Sequence, residues 1–126
     1  MGNTVLLVEH HKEMIQIADH IVDMGPGSGM EGGRILYEGD YAGLLRSDTL
    51  TGRMLGENTP LKESLRIPSG WFTVKHARLH NLKDVTVDLP MGVLAVIAGV
   101  AGSGKSSLME CFRRDFPEEV FISAKE

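Results

Sequence analysis

The sequence predicts an α/β fold, a mixed β-sheet with flanking helices, and three observations carry that prediction. Residues 4–8 and 93–98 are unbroken β-favouring apolar runs, the pattern of strands covered on both faces. Short amphipathic stretches separate the strands, as at Met14, Ile15, Ile17 and Ala18. The second apolar run opens directly into the glycine-rich sequence Gly99-Val100-Ala101-Gly102-Ser103-Gly104-Lys105-Ser106, which a helical pattern follows.

Taken in order, residues 4–8 form a first buried strand and residues 11–18 a short helix. Residues 19–24 form a second strand, ended by Gly25-Pro26-Gly27. The loop over residues 25–33 is expected to need several unusual backbone angles. Residues 34–39 read as a strand closed by a turn, with two short helices near 40–46 and 48–55. Residues 56–69 hold Gly56, Asn58, Pro60, Ser64, Pro68 and Ser69 among few apolar positions and read as a linker. Beyond it, residues 71–77 are a strand, and residues 85–89 alternate apolar and polar as a half-buried antiparallel strand does. Residues 93–98 follow as a strand, then the glycine loop, a helix over about 105–114, and a last strand starting at residues 120–122.

Bulk properties suit a globular chain: 126 residues, 42% apolar and 24% charged, with a net charge of −4. Residues 1–60 carry four Lys or Arg against nine Asp or Glu, and residues 61–126 carry nine against eight. Neither half is a basic nucleic-acid footprint. The lone Cys111 excludes an internal disulfide or zinc knuckle. The longest apolar stretch, residues 93–101, is too short to span a bilayer. The start carries neither a myristoylation pattern nor a secretory signal, so a cytoplasmic location is expected.

The loop Gly99-x-x-x-x-Gly104-Lys105-Ser106 matches the P-loop, or Walker A, pattern at each fixed position. Its glycines let successive N–H groups curl around a phosphate. Lys105 can reach the β- and γ-phosphates, Ser106 is placed to ligate Mg²⁺, and the helix N-terminus faces the anion. The predicted ATP contacts run from Gly99 through Val100, Ala101, Gly102, Ser103, Gly104, Lys105 and Ser106 to Ser107. By residue frequencies, a chain this long shows the pattern by chance roughly once in a few hundred. Hydrolysis also needs an acidic residue at a strand end. No apolar run ending in Asp follows Ser106, and no Ser-Gly-Gly signature occurs, so the chain by itself is expected to turn over no ATP.

Several runs resemble one family. Residues 2–10, ending Val8-Glu9-His10, and residues 18–23 look like the close of an ABC-type ATPase cassette. Residues 23–34, Leu50-Thr51-Gly52-Arg53 and residues 77–83 (Ala-Arg-Leu-His-Asn-Leu-Lys) resemble, more narrowly, the UvrA family of excinuclease ATPases and its UvrA-like relatives. The resemblance covers residues 2–112 and accounts for the order of parts. Residues 1–55 would finish a first cassette and residues 70–126 begin a second, so the two halves would belong to different composite ATP sites.

The resemblance implies that His10 is the switch histidine touching a γ-phosphate, where the residues alone suggest a solvated histidine at a strand end. The family usually has an acidic residue next, and here it is His11. His80 and Asn81 match the family's pattern ahead of the second loop, with turn capping as their plainer role. Trp71 and Phe72 are expected in the strand core, adenine stacking being the alternative. Asp19 and Asp23 look like strand-end residues, and His20 and His76 carry no motif. The family recognises distorted DNA, passes it to a repair partner, and uses ATP to control dimerisation and release. Some relatives instead protect against DNA-binding antibiotics. The modules that read DNA are absent here, so contact with DNA and the partner is expected only through the parent protein, itself a dimer. Two other classes compete: a folded interaction module without nucleotide affinity, and a small P-loop kinase, which lacks any acceptor-binding segment after the loop.

Overall fold

The computed structural model describes residues 4–8, 12–27, 29–55, 65–99 and 102–117. There, β1 (Val5–Val8) leads through α1 (Lys12–Gln16) to β2 (His20–Gly25), and one 3-10 turn (Gly29–Glu31) precedes β3 (Arg34–Gly39). Two short helices follow, α2 (Tyr41–Arg46) and α3 (Leu50–Leu55). Then come β4 (Gly70–Ala77), β5 (Val85–Met91), β6 (Leu94–Gly99) and α4 (Lys105–Asp115). The predicted elements within these residues are all present, α1 being shorter than expected. The strand predicted from residue 120 lies outside the described residues, as do residues 56–64 of the predicted linker.

The main sheet has the order β1-β6-β2-β3. β6 runs parallel to both neighbours, Val5 to Val8 lying opposite Leu94 to Ile97 and His20 to Met24 opposite Ala95 to Gly99. β3 adds antiparallel to β2 at the edge. One strand from after residues 56–69, β6, therefore lies between two strands from before them. Burial follows position: Ala95 to Gly99 are all buried, as a central parallel strand requires, while β3 alternates exposed and half-buried residues.

Each face of the sheet has its own core. One packs Leu6, Val8, Val22, Met24 and Ile97 against Leu108 and Phe112 of α4 and against the separate β4–β5 hairpin, through Phe72, Val74, Val87 and Leu89. The other packs Leu7, Ile21 and Val96 against Ile15, Tyr41 and Leu44 of α1 and α2. Asp19 ties the sheet to the chain that crosses it. Its two carboxylate oxygens accept from the Arg66 amide at 3.1 Å and the Leu94 amide at 2.8 Å.

Candidate phosphate-binding site

β6 ends at Gly99 and α4 begins at Lys105, so the glycine loop sits at the carboxyl ends of the parallel strands, where α/β sheets place ligands. Gly99, Gly102 and Gly104 have φ of 141°, 78° and 111°, in the region side chains resist. At Gly99 space forbids a side chain as well: a Cβ would lie 2.4 Å from the Met24 carbonyl oxygen and 2.7 Å from Ser103 Oγ. Gly104 is the N-cap of α4 and supplies no side-chain hydrogen bond to it, leaving the helix end to its backbone amides and positive dipole.

Lys105 is buried, and its Nζ donates to the Gly99 carbonyl at 2.8 Å, so the ammonium folds back along the loop. Ser106 is exposed at the start of the helix, Ser107 is half-buried, and Ser103 is fully buried. Among the described residues, Ser103 Oγ has no hydrogen-bond partner.

An acid accompanies this base. Asp23, fully buried on β2, lies opposite Ala98 of β6. One of its oxygens accepts from Thr51 Oγ at 2.8 Å, and Oδ2 has no hydrogen-bond partner among the described residues. Burial pushes the Asp23 carboxyl above its usual range, while the Thr51 hydrogen bond and the Lys105 charge pull it back. A search for an acid after the loop misses Asp23. An apolar run ending in Asp, Ile21-Val22-Asp23, stands before the loop instead, and strand order brings it alongside.

A second layer closes on the loop from two distant segments. The Gly33 amide donates to the Ser103 carbonyl at 2.7 Å, the Lys83 amide donates to the Gly33 carbonyl at 2.9 Å, and Asn81 Nδ2 donates to the Gly102 carbonyl at 3.3 Å. In the segment 25–33 only Gly33, at φ 79°, has a positive φ among the described residues. The Gly25–Pro26 peptide is cis, a second unusual backbone geometry in this loop. Close approach is the stronger reason for these glycines. A Cβ on Gly32 would lie 2.5 Å from the Gly27 carbonyl oxygen, and one on Gly33 would lie 1.9 Å from that of Asn81.

His10, Val100 and Ala101 lie outside the described residues. His80 is exposed at φ 53° in the turn closed by the Leu82 amide on the Leu79 carbonyl, and Asn81 reaches the loop. Phe72 is core, as expected, but Trp71 is 51% exposed, edge-on to His20 at 5.6 Å. His20 opens β2, so Trp71 sits at the end of the sheet away from Gly99.

No protein-family model matches the chain. Curated proteins do. It is 44% identical over 113 residues to UvrABC system protein A of Chlamydia pneumoniae, covering 86% of this chain. The homologues of Mycobacterium bovis and Thermus thermophilus are each 45% identical, over 118 and 113 residues. The chain is a UvrA homologue. It spans only 6% of the Chlamydia UvrA and 12% of the other two. Among solved structures, the crystal structure of UvrA2 from Deinococcus radiodurans is 37% identical, covers 86% of this chain and 14% of its own, and superposes with a TM-score of 0.39. The matching of this segment to UvrA agrees with the resemblance read from residues 23–34, 50–53 and 77–83.

Proposed function

We propose that this chain carries one Mg-ATP half-site of a UvrA-like ABC-type ATPase that acts in nucleotide-excision DNA repair, in the cytoplasm. The observation that supports this best is the conjunction at the loop: three positive-φ glycines, the buried Lys105 amine and the α4 N-terminus converge at the carboxyl ends of parallel strands. The residues fit a Mg-nucleotide. Gly99 and Gly104, at positive φ and with packed protein where a Cβ would stand, give the loop its tight course, and among the described residues Ser103 Oγ and Asp23 Oδ2 are buried polar atoms without a hydrogen-bond partner.

In this reading Lys105, now on the Gly99 carbonyl, would bind the β- and γ-phosphate oxygens, and Ser106 would hold Mg²⁺ through its hydroxyl. Mg²⁺, when bound, neutralises charge on those phosphates. Residues 1–55 close a first cassette and residues 70–126 open a second, with His10 as the switch histidine of the first. The parent protein is dimeric and supplies the contacts with DNA and with a repair partner.

A Mg-ATP titration followed by backbone amide NMR tests the site. Saturable shifts at residues 99–107, lost in Lys105→Ala, are expected; no shifts in the unaltered chain would refute nucleotide binding by this segment. The chain itself should show no ATP turnover, since it has neither the acidic residue after the loop nor the signature segment. Turnover abolished by Lys105→Ala would overturn that statement.

A further inference from the structure

We propose that Gly33 and Asn81 are positioning residues for the phosphate loop, holding two of its peptide planes in the orientation that presents N–H groups to phosphate. The argument rests on the planarity of the peptide bond. In a trans peptide the C=O of one residue and the N–H of the next point in opposite directions, so fixing the carbonyl fixes the amide. Asn81 Nδ2 holds the Gly102 carbonyl and the Gly33 amide holds the Ser103 carbonyl. Those two bonds orient the amides of Ser103 and Gly104, within the segment read as the phosphate cradle. A glycine loop without such ties samples both senses of each peptide plane, because φ > 0 and φ < 0 cost glycine about the same.

The holding residues are themselves held. The Gly33 carbonyl accepts from the Lys83 amide at 2.9 Å, which locks the segment ending at Gly33 to the segment 77–83. Approach is close enough that Gly33 admits no Cβ, the Asn81 carbonyl oxygen standing 1.9 Å from where it would be. Both runs stand out in the sequence, residues 23–34 and 77–83, and, Asp23 apart, the proposed nucleotide contacts at residues 99–107 account for neither. Loop positioning gives both a task, and it explains why Gly and Asn stand there: a backbone amide free of side-chain bulk and a short amide donor.

The inference rests on the nucleotide-site reading, so its test uses one measurement that needs no nucleotide. In the 126-residue chain, Asn81→Ala and the near-isosteric Asn81→Asp both remove the donor to the Gly102 carbonyl. Without nucleotide, the Ser103 amide is expected to shift and to exchange faster with solvent in both variants. With Mg-ATP, affinity of Asn81→Ala should fall about 3- to 10-fold, the worth of one net hydrogen bond. Asn81→Asp should lose more, since it brings a carboxylate toward the phosphates. Affinities are compared at a temperature where thermal scans show all variants folded, so a merely structural role would leave them unchanged. Unaltered affinity with an unmoved Ser103 amide would overturn the proposal. If the unaltered chain binds no Mg-ATP, the nucleotide reading falls, and the Ser103 exchange rate alone decides whether Asn81 holds the loop.

Discussion

The buried Lys105 amine and the buried Asp23 carboxyl show how single side chains reconcile charge with burial. An ammonium taken out of water must be hydrogen-bonded, and Lys105 meets that need at the Gly99 carbonyl. Gly33 is bound by space instead. Gly33→Ala places a methyl group on the Asn81 backbone at a positive φ, and it should cost about 1–3 kcal/mol, as overpacking and backbone strain do, read from urea unfolding. Cys111 is fully buried and burial raises its thiol pKa, so less thiolate is present than in a free cysteine. Its labelling by a thiol reagent at neutral pH should track global unfolding; fast labelling of the native chain would show the α4 face to be open. The glycines and Lys105 are legible at this scale because the P-loop pattern fixes their spacing along the chain. Gly33 and Asn81 are visible as motif members, but their targets at Ser103 and Gly102 lie about seventy and twenty residues away along the chain.

Between elements, the Asp23–Thr51 hydrogen bond joins β2 to α3. Burial outweighs that bond and raises the Asp23 carboxyl above its ordinary value of 3.8. The folded state therefore holds the proton more tightly than the unfolded chain does. The associated stability is fully present below pH 3.8 and is lost as pH rises through the higher folded value. Asn at this position keeps an acceptor for Thr51 and carries no charge. Asp23→Asn should consequently raise Tm at pH 7, with the gain shrinking to nothing below pH 3.8; a Tm lowered at pH 7 would mean that the ionised carboxylate is needed by the fold. At the helix–sheet contact, Phe112 is fully buried and lies close to Phe116, which packs on Phe72 of β4. Phe112→Ala should cost about 3–5 kcal/mol, measured in the same urea series. Strand and helix positions are readable from periodicity alone, since a central strand is apolar throughout and an edge strand alternates.

Across the whole molecule, the deciding feature is β6, which comes late in the chain yet lies between β1 and β2. Both of its edges are paired to residues from the first quarter of the sequence. Separate peptides covering residues 1–55 and 70–126 should each lack this sheet, β1 having its backbone partner only in the other piece among the described residues. Mixed together, they should recover the amide pattern of residues 94–99 seen in the intact chain. A native pattern for either peptide by itself would contradict the interleaved topology.

Local features can be read from the chain alone: which runs are strands, where the glycine loop begins, and which family the segment resembles. These follow from side-chain periodicity, from backbone freedom at glycine and from motif spacing, all of which act over a few residues. The rest came from tertiary structure. Hydrogen-bond pairing of β6 with both β1 and β2 set Asp23 beside the loop, and close backbone packing set Gly33 and Asn81 against it. Each of those contacts depends on which strand lies next to which, and no short-range pattern in the chain encodes that.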